Sequence, residues 1–241
     1  MAERLRLEGL TKSFGALTAV DGFSLSLGDG EALGVIGPNG AGKTTMFNLV
    51  TGDIKADAGR IIFEDHDIST LSADRRCHAG IGRSYQIPHP FGGMTVFENV
   101  LVGATYGAGR SERDAVGDCL EILERTELID LANRLAGTLP LLDRKRLELA
   151  RAMATQPKVL LLDEIAGGLT EHEVQRLLVT IRGIRAGGVS IIWIEHVVHA
   201  LTAVVDRLAV MAFGKLLMEG KPSEVMASAA VRETYMGIAV E

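Results

Sequence analysis

The sequence predicts an α/β fold with a mixed sheet, an N-terminal antiparallel β-subdomain and a helical subdomain set into the middle of the chain. Three observations carry that expectation. Near the N-terminus, "LRLEGL" and "FSLSLG" alternate apolar and polar residues, as half-exposed antiparallel strands do. Further on, "EALGVIG", "VLLLDE" and "VSIIWIEH" are apolar runs of strand length, each leading towards a helix. Buried strands followed by helices imply a parallel sheet covered on both faces. Between Pro88 and Gln156 the pattern turns helical: "SERDAVGDCLEILERTEL" spaces Ala115, Leu120, Leu123 and Leu128 along one face, and "DRKRLELARAMAT" aligns Leu147, Ala150 and Met153.

The remaining elements follow in order. "GKTTMFNLVTG" reads as a helix and "GRIIFED", after Gly59, as a strand. A helix spans about Glu171 to Arg185, another runs to Asp206, and "RLAVMAF" and "KLLMEG" close the pattern as strands. The 241 residues suit one large domain with a subdomain attached, and no internal repeat or low-complexity segment breaks it. The division is 1–87 and 157–241 for the core with its antiparallel strands, and 88–156 for the helical subdomain.

Composition narrows the function. Hydrophobic residues make up 47% and charged residues 23%, a globular balance. The net charge of −6 argues against a general nucleic-acid binder, which needs clustered Lys and Arg, so no nucleic-acid partner is expected. Cys77 and Cys119 lie far apart without metal-ligand spacing and read as reduced thiols. No run approaches the ~18 apolar residues that cross a bilayer. The N-terminus "MAERLRLEGL" carries no signal-like apolar segment. A cytoplasmic protein is expected, peripheral if it works at a membrane.

The chemistry concentrates in "GVIGPNGAGKTT". Gly37, Gly42, Lys43 and Thr44 match G-x-x-x-x-G-K-[S/T], directly after a strand and at the start of a helix. Glycines let backbone N–H groups converge on phosphate oxygens, and the helix N-terminus adds partial positive charge. Lys43 can reach β- and γ-phosphates, and Thr44 can offer its hydroxyl to Mg²⁺. A P-loop NTPase core follows from this. Asp163, at the end of "VLLLDE", brings a carboxylate to the metal side, and Glu164 beside it can polarise a water. His196 stands at the end of a third apolar strand.

With these residues in view, the chain resembles the ATPase subunit of an ABC transporter over nearly its whole length. "KSFGALTAV" resembles the segment whose aromatic stacks on adenine, which nominates Phe14. "GPNGAGKTT", comprising Gly37, Pro38, Asn39, Gly40, Ala41, Gly42, Lys43, Thr44 and Thr45, resembles the Walker A stretch. "RSYQ" resembles the loop whose glutamine senses Mg²⁺ and water, which nominates Gln86. "VLLLDE" resembles Walker B, and "IEH" the switch histidine. The resemblance implies ATP and Mg²⁺ as cofactors, with Thr44, Gln86 and Asp163 at the metal and Glu164 and His196 as catalytic residues. "GPNGAGKTTMFNLVTG", "FGGMTVFENVLVG" and "IIWIEH" look most like ATPases of branched-chain (hydrophobic) amino-acid importers.

That resemblance implies partners too. One Walker A turn per chain calls for a second ATPase subunit, and two membrane-embedded permease subunits and, indirectly, a substrate-binding protein complete such importers. The location implied is the inner face of the cell membrane. Phe91, Met94 and Phe97 are either the contact for those permeases or subdomain core. The alternatives are the ATPase of a lipid or lipopolysaccharide exporter and a regulatory subunit that binds ATP without hydrolysing it. A chromosome-type ATPase would need a long coiled-coil insertion, for which the chain has neither room nor heptads.

One surface departs from the family. Where it carries Leu-Ser-Gly-Gly-Gln at the start of a helix, this chain reads Leu139, Pro140, Leu141, Leu142 and Asp143. In the family's dimer that turn binds the other subunit's γ-phosphate. Pro140 has neither hydroxyl nor N–H to donate, and Leu141 and Leu142 put side chains where backbone should approach closely. Asp143 adds negative charge or caps the helix. After Walker B, Thr170 and Glu171 replace the usual asparagine or aspartate and proline. An asymmetric heterodimer with a paralogous partner is the expectation that unites these departures. Arg144, Lys145 and Arg146 are either substitutes that reach the phosphate or a solvated basic face.

Overall fold

The computed structural model describes residues 2–233; Met1 and residues 234–241, which the sequence division assigns to the core, lie outside the described residues. An antiparallel sheet has the order β2-β1-β4-β5, from β1 (Glu3–Phe14), β2 (Leu17–Gly28), β4 (Ala58–Phe63) and β5 (His66–Asp67). A larger sheet has the order β10-β9-β3-β8-β7-β6. Its members are β3 (Ala32–Ile36), β6 (Ile81–Ser84), β7 (Val159–Asp163), β8 (Ser190–Ile194), β9 (Arg207–Ala212) and β10 (Lys215–Gly220). All pairings in it are parallel except β10 on β9, so the sheet is mixed, as expected.

Helices α1 (Lys43–Thr51) and α2 (Ala73–Ala79) precede β6. Then come α3 (Val96–Val102), which runs on into a π-turn at Gly103–Gly107, α4 (Glu112–Arg125) and α5 (Leu141–Ala154). The last third holds α6 (Glu171–Ala186), α7 (Val198–Thr202) and α8 (Pro222–Ala227).

The strand period of two sorts the parallel sheet into two cores. In β7, Leu160 and Leu162 join Leu123, Leu147 and Leu178 on the face covered by α4, α5 and α6. Val159 and Leu161 join Phe47 of α1 and Leu7 and Phe23 of the antiparallel sheet on the other. All five β7 residues are buried. At roughly 1.5–3 kcal/mol per buried aliphatic side chain, a strand apolar up to its last residue is stable only between two layers.

Two local expectations are corrected. Helix α7 stops at Thr202 and does not reach Asp206. Asp206 is drawn into the sheet instead: its N–H donates to the Ala32 carbonyl at 2.8 Å, and its carboxylate accepts from the Ala32 N–H at 3.0 Å. On α4, Leu120 is exposed, and the buried face is Ala115, Cys119, Ile122 and Leu123. Leu128 is buried but lies past the helix end, beyond a reversal at Glu127 with φ 56°.

Parallel strands deliver their following loops to one edge of the sheet. The glycine turn follows β3, Gln86 lies two residues past β6, Asp163 ends β7, and His196 lies two residues past β8. Ligands in open α/β sheets bind outside the carboxyl ends of the strands.

Candidate active site

The turn after β3 can be built only from small residues at two points. A Cβ on Gly37 would lie 2.0 Å from the Met211 carbonyl oxygen, and one on Gly42, at φ 103°, would lie 2.2 Å from that of Ala19. Gly42 is also the N-cap of α1 and supplies no side-chain cap, which leaves the first-turn N–H groups of Lys43, Thr44 and Thr45 free for a ligand. Lys43 is buried, and its Nζ donates to the carbonyls of Gly37 at 2.7 Å and Pro38 at 3.0 Å. Burial pushes its ammonium pKa down, against the pull of Glu164 and Asp163. A cavity of about 300 Å³ opens over the turn, lined by Asn39 to Thr45, by Phe14, Leu17 and Ala19 from the antiparallel sheet, and by Glu164. Phe14, 51% exposed, ends β1 at the rim.

Glu164 is the hub of the polar groups. Its Oε1 lies 2.7 Å from Nε2 of His196, and its Oε2 accepts from Nε2 of Gln86. Its backbone takes a left-handed turn, φ 48°, as Asp163 leaves the strand. Asp163 is buried, and burial raises its carboxyl pKa, opposed chiefly by Arg83. Nη2 of Arg83 donates to Oδ2 of Asp163 at 2.7 Å, and Nη1 donates to Oδ1 of Asn48 on α1 at 2.6 Å. The guanidinium carbon sits 4.7 Å from the Tyr85 ring centre and 5.5 Å from that of Phe47.

The residues nominated from sequence thus fall into three groups. Phe14, Asn39, Gly40, Ala41, Gly42, Lys43, Thr44, Thr45 and Glu164 share the cavity, while Gly37 and Pro38 hold the lysine. Gln86 and His196 meet on Glu164. Asp163 is joined to Arg83 and not to Gln86.

Comparison with known proteins gives the family. The family model described as "ABC transporter" matches residues 20–167, more than half of the chain. The chain belongs to the ABC transporter family. Among curated relatives, the high-affinity branched-chain amino acid transport ATP-binding protein BraF of Pseudomonas aeruginosa is 36% identical over 97% of each chain. The corresponding protein LivG of Escherichia coli is likewise 36% identical over 97% of each chain. Among solved structures, a nucleotide-free ATP-binding cassette from an ABC transporter matches with a TM-score of 0.90 at 34% identity, covering 98% of this chain and 100% of that one. An ADP conformation of such a cassette matches equally well, at 0.90 and 34%, over 99% and 100%. As a family member the chain is an ATP-binding, ATP-hydrolysing subunit.

At Leu139–Asp143, where the sequence departs from the family's signature, the structure shows what each residue does. Pro140 is the N-cap of α5 and gives no side-chain cap. Leu141 is 45% exposed and leans on the loop after Glu164, while Leu142 is buried. Asp143 does not cap the helix; it pairs with Arg146 at 3.7 Å. Neither expectation for the basic triplet describes all three residues. Nε of Arg144 donates to the Leu139 carbonyl at 2.7 Å and Nη2 to that of Gly137 at 3.0 Å. Arg146 is buried and bound to Glu127, and Lys145 is buried with Nζ 3.4 Å from the Glu164 carbonyl oxygen. Lys145 and Arg146 are thus held inside the fold, while Arg144 is exposed and bonds carbonyls of its own loop. Thr170 caps α6 in a reciprocal box with Glu173.

The residues present fit Mg²⁺. Oδ1 of Asp163 is buried and has no hydrogen-bond partner among the described residues. The Thr44 side chain lines the cavity. No cluster of three or more His, Cys, Asp or Glu side chains that could hold a metal occurs among the described residues. Mg²⁺ suits so few protein oxygens, because it takes its other ligands from phosphate and water.

Sequence reasoning missed Arg83. The available signal was an arginine three positions before Gln86, the one charged residue of the short strand β6. Replacing Arg83 by Met strands a buried carboxylate, and urea unfolding is expected to register a loss of about 3–5 kcal/mol.

Proposed function

We propose that this chain energises the import of branched-chain or other hydrophobic amino acids by hydrolysing ATP at the cavity over Gly37–Thr45. The observation that carries the reading is the convergence of Gln86 and His196 on Glu164 at the edge of that cavity. In this reading the turn's N–H groups and Lys43 hold the phosphates, and Phe14 stacks on the adenine. Thr44, Asp163 and Gln86 would hold Mg²⁺, which would neutralise charge on the phosphates. Glu164 takes a proton from the attacking water as its oxygen bonds to the γ-phosphorus and the bond to the ADP oxygen breaks. His196, hydrogen-bonded to Glu164, keeps that carboxylate oriented. Replacing Glu164 by Gln is expected to leave ATP affinity within about twofold while turnover falls ~10²–10⁴-fold. Equal turnover by the variant would overturn the assignment. The substrate class is tested by uptake of labelled leucine, isoleucine and valine into vesicles carrying the assembled transporter.

The partner is a second ATPase subunit, and a paralogue with an intact Ser-Gly-Gly turn suits the altered surface best. Nucleotide bound by this chain would meet that intact turn. Nucleotide bound by the partner would meet Pro140 and Leu141, which supply no hydroxyl and crowd the approach of the backbone. Loss of one preorganised donor typically costs ~10²–10³ in rate. Restoring Pro140→Ser with Leu141→Gly, and leaving buried Leu142 in place, is expected to raise turnover of the assembly by up to about twofold as a second site is added. An unchanged rate would count against the asymmetry.

No helix among the described residues is long and apolar enough to cross a membrane, which suits a peripheral subunit on the inner face, docked to two permeases. A groove of about 340 Å³ lined by Arg83, Tyr85, Glu148 and Arg151 is the docking site we favour. Phe91, 45% exposed with the Arg151 guanidinium 4.9 Å from its ring, is available to that contact, whereas Phe97 packs against the core. Phe91→Ala is expected to uncouple ATP use from uptake without loss of stability. Phe97→Ala is expected to lower stability by about 2–4 kcal/mol in thermal unfolding.

A further inference from the structure

Glu195, the residue before His196, is 1% exposed. Its Oε1 accepts the N–H of Ala166 at 2.6 Å, and its Oε2 accepts the N–H groups of His196 at 2.8 Å and Val197 at 3.3 Å. One carboxylate therefore ties the loop that follows Glu164 to the loop that carries His196. The 2.7 Å contact between Glu164 Oε1 and His196 Nε2 spans the same two loops. A carboxylate suits this position because both of its oxygens accept and neither donates. A glutamine here would turn an N–H₂ group towards one set of N–H donors.

A buried carboxylate needs a countercharge as well as donors. Lys145 of α5 is 5% exposed; burial pushes its ammonium pKa down, against the pull of Glu195 and Glu164. Its Nζ faces the carbonyl oxygen of Glu164 at 3.4 Å, while the Glu164 N–H donates to the Ile194 carbonyl at 2.8 Å. The left-handed residue is thus held on both sides of its peptide. Left-handed backbone in a residue with a side chain is costly and persists where its surroundings impose it.

We infer that Glu195 and Lys145 are positioning residues for hydrolysis: the carboxylate clamps the Glu164 and His196 loops together, and the ammonium anchors the Glu164 backbone to α5. The inference rests on the reading of Glu164 and His196 as the hydrolytic pair. Helix α5 then has two roles. Its first residues form the surface offered to a partner's nucleotide, and Lys145, one turn on, acts on the chain's own. The middle residue of the basic triplet is neither a phosphate ligand nor a solvated charge.

The test uses Lys145→Met, Lys145→Arg, Glu195→Gln and the Lys145→Met/Glu195→Gln double variant. ATP affinity is read in the full chain with a methylanthraniloyl-ATP probe, and turnover is read in the assembled transporter. The His196 ring-nitrogen signals are followed by ¹⁵N-histidine NMR, assigned by their loss in His196→Ala. We expect Lys145→Met and Glu195→Gln each to lower kcat about 10–100-fold, the scale of a small misplacement of a reacting group, with ATP affinity within twofold and the His196 signals shifted. Lys145→Arg should recover most of the rate, and the double variant should be no slower than the slower single one. Lys145→Met keeps the apolar stem, so it reports even where Glu195→Gln folds poorly. The inference is overturned by Lys145→Met turnover within twofold of wild type, by a rate loss matched by an equal loss of ATP affinity, or by unmoved His196 signals. Wild-type turnover in Glu164→Gln would instead sink the hydrolytic reading, and this inference with it.

Discussion

Everything at the site depends on keeping Asp163 charged while it is buried at the end of a wholly apolar strand. Desolvation works against that charge, and Arg83 is the cation that opposes it directly. The same guanidinium reaches Asn48, so the pair also fastens β6 and β7 to α1, the helix that presents Lys43 and Thr44. Arg suits this position better than Lys, because its planar fork bonds two acceptors while its faces lie against Tyr85 and Phe47. The pair has a cost in desolvation, and removing one partner costs far more than the pair contributes net.

A second constraint is that two charges of the basic triplet, Lys145 and Arg146, are held inside the fold. Arg146 joins Asp143 and Glu127, Lys145 turns its Nζ to the Glu164 carbonyl oxygen, and the exposed Arg144 folds back on carbonyls of its own loop. The surface at Pro140 and Leu141 is left with a proline cap and an exposed leucine, neither suited to an anion. The cavity over Gly37–Thr45 keeps backbone donors, an ammonium and a carboxylate within reach of one another. One face is equipped for a triphosphate and the other lacks a hydroxyl and carries the exposed Leu141 side chain, which is the physical content of the asymmetry proposed for the assembly.

The site is also placed to respond to its neighbours. Arg83 lines the groove favoured for the permease contact and bonds Asp163 as well. A shift of that guanidinium would be felt at both places, through one side chain. Glu164 receives His196 from one loop and Gln86 from another, so its orientation reflects the position of two strand ends at once.

Much of this could be read before any coordinates. The parallel strands, the glycine turn and the carboxylates at the end of "VLLLDE" are local patterns, because burial on two faces, close backbone approach and an acidic strand end each leave a mark within a short stretch of chain. Phe97 and Leu120 were not separable from their neighbours, since periodicity tells which residues share a face but not how far its cover extends. Where α7 ends was decided by Asp206 pairing with Ala32, a contact 174 residues distant in the chain. Arg83 on Asp163, Glu195 between two loops and Lys145 beneath Glu164 are likewise meetings of segments far apart in sequence. The sequence by itself determined which groups the protein carries to the edge of its sheet. Only the tertiary structure decided which of them touch, because hydrogen bonds and buried charge pairs are set by distance in space, and no spacing along the chain encodes that.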